Sequence, residues 1–288
     1  MNALQQLAKT KTIDFVEVDG ETYPRERKIL HTILQSKMWK SLIDNNACIA
    51  GGAITSMFSR SIINDVDIFH KTVQHYDSST QCAKKVMSGE RKQGTEGSSF
   101  ETKNDLTFNS SIVDDGYGET YSFIHSDNKS PDMMSWTGGM QMSVQFVKPE
   151  IIKGDVKDVL MSFDFSVCMG AYDFSEDVWV FHPSFFADLA TKRLRYYPNT
   201  LNPINSLLRV AKYQRKGFNI SSIQMMKLVL AVADEYKTFG EAIRSMSFVN
   251  RDLKLLRSAV VRLEYENVPF TSENLIKLIE EDGKLDLV

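Results

Sequence analysis

Two aspartates separated by one residue, Asp65 and Asp67, are the side chains of this sequence best suited to do chemistry. They alternate with apolar residues in Asp65-Val66-Asp67-Ile68-Phe69, which predicts a strand. Successive strand side chains point to opposite faces. The two carboxylates therefore share one face, roughly 7 Å apart, while Val66 and Ile68 turn to the core. Carboxylates so placed can hold one or two Mg²⁺ ions, which clamp a triphosphate and activate an attacking hydroxyl. Upstream, the apolar run Ala47-Cys48-Ile49-Ala50 ends at Gly51-Gly52, where the missing Cβ lets backbone come close to a ligand. A short helix opening at Ala53 would turn free N–H groups toward an anion, with Thr55 and Ser56 as further hydroxyl donors. An Asp-x-Asp alone more often marks a solvated turn, and a lone Gly-Gly a plain loop. The order strand, Gly-Gly, short helix, Asp-x-Asp is far more specific than either.

A second stretch sets one carboxylate among apolar residues, Phe163-Asp164-Phe165-Ser166-Val167. A buried carboxylate is costly without a partner. A metal ion, a sugar hydroxyl or a helix N-terminus would each serve Asp164. Further on, Lys192, Arg193, Arg195, Arg209, Lys212, Arg215 and Lys216 crowd into residues 192–216, with Tyr196, Tyr197 and Tyr213 between them. Arg209, Lys212 and Lys216 share a helix face. Such a run is either a solvated face or a surface for the phosphates of an NTP or an RNA strand.

The elements that must position these residues are legible in part. Residues 13–18 alternate like a short strand. From Pro24 to about Asn46 apolar residues recur at helical spacing. Residues 70–138 lose periodicity and read as a polar insert of peripheral hairpins and loops. Met140 to Val147 alternates as a half-buried strand. Pro203 opens a helix running to Gly217-Phe218, and the chain beyond Ser222 reads as helical.

With 288 residues, 42% hydrophobic and 25% charged, the chain has the composition of a globular protein with a real core. Its net charge of −3 excludes a molecule basic throughout, so any nucleic-acid site is a local patch. Cys48, Cys82 and Cys168 form no Cys-x-x-Cys pair, which argues against zinc and a disulfide framework. His70, His75 and His125 match no metal spacing and read as surface or edge histidines; His182 reads as structural. No apolar run is long enough for a membrane span and no signal-peptide core is visible. The expectation is a soluble, cytoplasmic protein with no membrane partner.

The stretch from Gly51-Gly52 to Asp65-Val66-Asp67 resembles the signature of the DNA polymerase beta-like nucleotidyltransferase superfamily. Within it, the chain is most similar to the class II CCA-adding and bacterial poly(A) polymerase group, which has the same interval from first Gly to first Asp. Met161-Ser162-Phe163-Asp164-Phe165-Ser166 and Ala171-Tyr172-Asp173 resemble that group's Arg-Arg-Asp-Phe-Thr and Ala-Tyr-Asp motif, which lies beside the nucleotide sugar. Asp188-Leu189 with Leu194-Arg195, and the helix from Ser206 to Phe218, resemble its next segments. Thr55-Ser56 stand where the group has Arg-Asp, and Ser162-Phe163 where it has two arginines.

The resemblance implies an α+β fold: a palm-like mixed sheet with helices, followed by a C-terminal helical domain. It divides the chain into a catalytic domain, 1–180, with the insert at about 70–138, and a helical nucleotide- and RNA-binding domain, 181–288. It implies a Mg²⁺-dependent transfer of NMP from an NTP, ATP included, to an acceptor hydroxyl, first an RNA or tRNA 3′ end, second a protein or small molecule. Asp65 and Asp67 would hold the metal, and Asp164 would complete the catalytic set or hold the sugar. Gly51, Gly52, Thr55, Ser56, Arg209 and Lys212 would bind the nucleotide. Lys192, Arg193, Arg195, Arg215 and Lys216 would bind RNA. A relative that has lost its chemistry would instead bind RNA or nucleotide without metal.

Overall fold

Pro24 sets the start of the longest helix. In the computed structural model, α1 (Pro24–Asp44) carries Pro24 in its first turn, where the missing N–H costs nothing and the fixed φ is already helical. Ile29, Leu30, Ile33, Leu34, Trp39 and Leu42 are buried along it, the stripe that 3–4 spacing requires. The structure describes residues 13–88, 100–101, 106–114, 118–125, 142–152, 154–198, 203–236 and parts of 241–278.

The remaining elements of the first part follow in order. They are β1 (Val16–Asp19), β2 (Ala47–Ala50), α2 (Gly52–Phe58), β3 (Asp65–His70), α3 (Val73–Ser88), β4 (Phe100–Glu101), β5 (Leu106–Asp114), β6 (Gly118–His125), β7 (Met142–Val147), α4 (Val156–Met161), β8 (Gly170–Asp173), β9 (Val178–Phe181) and α5 (Phe185–Ala190). Among the described residues nine strands make one sheet in the order β1-β9-β8-β2-β3-β7-β6-β5-β4. β3 runs parallel to β7 and antiparallel to β2, so the sheet is mixed, as the α+β expectation has it.

The stretch 70–138 forms peripheral hairpin strands, as its reading has it, at one edge of the sheet, and departs from that reading in α3. It supplies α3 and three strands that extend the central sheet beyond β7. The reason is chemical. α3 buries Tyr76, Ser79, Thr80 and Ala83, a face with no large aliphatic residue to mark it as core in the sequence.

Chain packing separates two compact units, one within residues 12–195 and the other from Tyr196 onward. In the second, α6 (Pro203–Arg215) and α7 (Ser222–Glu235) are described. Ile204, Val260, Leu263 and Leu278 form its buried core, with Leu207, Leu208, Val232, Tyr236 and Val268 packed on it. Most of the helical segments expected after Glu235 lie outside the described residues. Among the described residues no helix is long and apolar enough to cross a membrane.

Candidate active site

Register defines the face on which Asp65 and Asp67 stand. Ala50 pairs with Asp67 and Cys48 with Phe69 across β2 and β3. Cys48 and Ala50 pair in turn with Asp173 and Ala171 of β8. On the other side Asp65 lies opposite Ser143 and Asp67 opposite Gln145 in the parallel β3–β7 pair. Paired residues share a face, and adjacent strands lie about 4.8 Å apart. Asp65, Asp67, Ser143 and Gln145 thus form a polar square on one face at the start of β3. Val66, Ile68, Val144 and Phe146 are buried on the other. Asp65 is exposed and Asp67, Ser143 and Gln145 are half-buried. Oxygen donors so exposed suit Mg²⁺, which keeps several waters and takes one or two carboxylates plus substrate phosphates. Among the described residues no group of three or more His, Cys, Asp or Glu could hold a metal.

β2 leads into Gly51, whose φ is +87°, a conformation that glycine adopts without strain. The Gly51 N–H donates to the Gly170 carbonyl at 3.1 Å, and its own carbonyl accepts from Thr55 N at 3.2 Å. A Cβ on Gly51 would stand 2.8 Å from Cε1 and 2.9 Å from Cζ of Phe163. That flank of the turn is therefore covered by an aromatic ring. Gly52 opens α2 and is half-buried. Thr55 and Ser56 are buried. Thr55 Oγ1 donates to the Val167 carbonyl at 2.5 Å, with the Gly51 carbonyl at 3.2 Å. This hydroxyl ties α2 to the segment after Asp164 and faces the interior.

Local capping delivers Phe163. Asp155 and Asp158 close a capping box at the start of α4, which fixes where that helix begins. α4 ends one turn later, with Ser162 Oγ donating to the Val159 carbonyl at 2.6 Å and Phe163 N to the Leu160 carbonyl at 3.2 Å. Phe163 then lies edge to face with Phe69, ring centres 6.1 Å apart and planes at 80°. Asp164 is only 1% exposed; its carboxylate points into the fold.

The basic residues divide between the two units. In the first, Lys192 has φ +52° and Arg193 is exposed. Arg195 is bound to Asp188, Nε to Oδ2 at 2.8 Å and Nη2 to Oδ1 at 3.1 Å. In the second, Lys212 and Arg215 are exposed on α6. Arg209 and Lys216 each stand 6.0 Å from the ring centre of Tyr213.

Two histidines differ from expectation or refine it. His70 reads as an edge residue, yet it is 1% exposed, because β3 is an inner strand and position 70 falls on its helix-covered face. Its ring stacks on Phe146 and meets Tyr76 edge-on, each at 6.0 Å. Burial pushes its pKa down to about 3, with His75 adding to the effect. His182 is buried, and burial pushes its pKa down to about 4. Its Nδ1 accepts the Ser184 N–H at 2.9 Å, the structural role expected. The His125 side chain lies outside the described residues.

A cavity of about 370 Å³ opens at the far end of β3, lined by Asn46, Cys48, His70 and Asp173 among others. Of its lining carboxylates, Asp155 and Asp173 are turned to backbone N–H groups of their own turns, and neither Asp65 nor Asp67 lines it. Ser143, Gln145 and Phe163 are the site residues that sequence reasoning missed. Alternation marked Ser143 and Gln145 as the polar side of a strand, but nothing in the chain named the strand it would pair with.

Comparison with known proteins adds the following. The family model described as Gabija anti-defense 2 family protein matches residues 24–192. The protein named Gabija anti-defense 2 of Bacillus phage SPbetaL7 is 27% identical over 235 residues, covering 80% of this chain and 49% of that one. The chain thus spans about half the length of the curated relative it matches. Among solved structures, it is similar to the Thermotoga maritima CCA-adding enzyme complexed with tRNA-CCA at 13% identity and TM-score 0.47, over 94% of this chain and 70% of that one. It is also similar to a CCA-adding enzyme in complex with ATP, at 14% identity and TM-score 0.48, over 94% and 70%.

Proposed function

The chain belongs to the Gabija anti-defense 2 family, and from that premise we propose that it is a Mg²⁺-dependent nucleotidyltransferase, moving a nucleoside monophosphate from an NTP to an acceptor hydroxyl. The observation that carries this reading is the placement of Asp65 and Asp67 on one open sheet face beside the Gly51-Gly52 turn, with Gln145 in register opposite Asp67. Asp65 and Asp67 would hold Mg²⁺, which when bound supplies Lewis-acid charge at the phosphates. In the transfer, the acceptor oxygen bonds to the α-phosphorus, the bond to the bridging oxygen breaks and pyrophosphate leaves. The hydroxyl proton passes to a carboxylate of the pair or to water. Gln145 and Ser143 orient the carboxylates and the incoming oxygen. The segment of Asp164 is assigned the sugar side of the nucleotide, in keeping with the motif it resembles, with the buried Asp164 holding that segment from within. Gly51 and Gly52 contribute backbone on the flank that Phe163 leaves open. The first unit is the catalytic domain. The second, with Arg209, Lys212, Arg215 and Lys216, is the nucleotide- and RNA-binding domain, joined in that role by Lys192 and Arg193.

The residues favour an RNA 3′ end as acceptor, because α6 carries the exposed cations Lys212 and Arg215, which suit the phosphates of a strand. The solved CCA-adding enzyme with tRNA is the reason to include tRNA among the RNAs tested. The family's anti-defense description favours a second reading, in which the acceptor is a protein hydroxyl in the defence being opposed.

Metal dependence tests the enzyme against a binding module. ATP with Mg²⁺ should raise the melting temperature of the wild type and leave the Asp65→Ala, Asp67→Ala double variant unmoved. Nucleotide binding that persists without Mg²⁺ and in the double variant would instead mark a relative that binds without chemistry.

A further inference from the structure

Phe163 occupies an unusual position for a phenylalanine. Its ring lies against the bare Cα of Gly51, so close that a Cβ there would stand 2.8 Å from it. Its other described ring contact is Phe69 at 6.1 Å. Phe69, Asp67 and Asp65 are alternate residues of β3 and share one face. The ring therefore stands on the carboxylate-bearing face of the sheet, between the glycine turn and the strand that carries the aspartates. Its neighbours in the chain and in space, Phe165 and Phe69, are buried, whereas Phe163 is only half-buried. A plug whose work was to fill the core would have no reason to stay partly open on the face that carries Asp67. The residue type matters as well: a neutral aromatic at this place cannot neutralise phosphate, but it can take the flat face of a base.

We propose that Phe163 is the base-stacking wall of the site, holding the nucleobase of the NTP while the aspartates face its phosphates and favouring purines through stacking strength. This deepens the nucleotidyltransferase reading and rests on it. Every base has a π-face, so such a wall accepts all four nucleotides, and stacking strength favours purines. Gly51 then has two reasons to be glycine: its positive φ, and the room its absent side chain leaves for the ring.

The test is calorimetric titration of the full chain with ATP and with CTP, each with Mg²⁺, for wild type, Phe163→Leu and Phe163→Tyr. Leucine keeps apolar cover over Gly51 and removes the π-face; tyrosine keeps both. The expected result is tighter ATP than CTP binding by the wild type, a loss of roughly ten-fold in ATP affinity for Phe163→Leu, a narrowed ATP-to-CTP ratio in that variant, and retention within two-fold for Phe163→Tyr. Wild-type affinities in Phe163→Leu overturn the proposal. So does equal loss in both variants with a matching fall in melting temperature, which would make the ring a packing element. If the wild type itself binds neither nucleotide, the nucleotide reading falls and the wall falls with it. The wild-type titration alone distinguishes that case from the others.

Discussion

Arg195 grips Asp188 with two parallel hydrogen bonds, Nε to Oδ2 at 2.8 Å and Nη2 to Oδ1 at 3.1 Å, and Ser166 Oγ donates to the same Oδ2 at 2.7 Å. Asp188 is 2% exposed while Arg195 keeps a solvent-facing edge. The burden of the pair is therefore unequal. Arg195→Ala strands a buried carboxylate with one hydroxyl donor and should cost about 2 kcal/mol or more. Asp188→Ala frees a guanidinium that can turn to water and should cost less. Urea denaturation of the two variants checks the order. The pair also makes Arg195 the least suited of the basic residues to contact RNA.

Exposed cations should behave in the opposite way. Lys212→Ala and Arg215→Ala remove side chains that solvent already reaches, and their stability should stay within about 0.5 kcal/mol of wild type. Their RNA affinity should fall, with a shallower dependence on salt. Filter binding at several salt concentrations, beside thermal melts, separates the two effects.

Gly51→Ala meets two obstacles, a φ of +87° and the Phe163 ring. The first costs about 1–3 kcal/mol for a residue with a side chain. The second can be relieved. Gly51→Ala combined with Phe163→Ala should therefore be less destabilised than the sum of the single changes, and a double-mutant cycle by chemical denaturation measures the coupling.

Thr55 holds α2 to the Val167 carbonyl through a buried hydroxyl. Thr55→Val keeps the shape and removes the donor, leaving that carbonyl short of a partner, at a cost of about 1–2 kcal/mol. KM for NTP should stay within two-fold of wild type, since the hydroxyl faces the interior. A raised KM with unchanged melting temperature would place it on the nucleotide after all.

Two buried histidines set a pH dependence. His70 and His182 are held neutral, with pKa values pushed down to about 3 and about 4 from the usual 6.5. The unfolded chain takes up protons below pH 6.5 and the folded chain does not. Stability is thus fully present above that pH and is lost as pH falls toward 4. At pH 5 the loss is about 2 kcal/mol for His70 and less for His182, the less deeply buried of the two. Thermal melts from pH 7.5 to 5 should show the decline, and His70→Leu should flatten it by more than half.

Much of the site was legible because its chemistry is local. The Asp65–Asp67 alternation, the Gly51-Gly52 turn and the Pro24 helix start each rest on residues close in sequence, and strand, turn and helix formed where local pattern placed them. What escaped was long-range. Gln145 meets Asp67 only through strand pairing, and Phe163 meets Gly51 only because α4 ends where its capping box dictates. The hydroxyl of Thr55 looked available for phosphate until the neighbouring backbone of Val167 claimed it. α3 escaped because its buried face, Tyr76, Ser79, Thr80 and Ala83, carries no large aliphatic residue.

The central claim is group transfer that depends on the carboxylate pair. The most direct measurement is incubation of the wild type and of the Asp65→Asn, Asp67→Asn double variant with each α-labelled NTP, Mg²⁺, total cellular RNA and total cellular protein. The account predicts label joined covalently to a macromolecule by the wild type alone, with RNA and protein fractions identifying the acceptor. Equal labelling by the double variant, or none by either protein in any fraction while both remain folded, would contradict it.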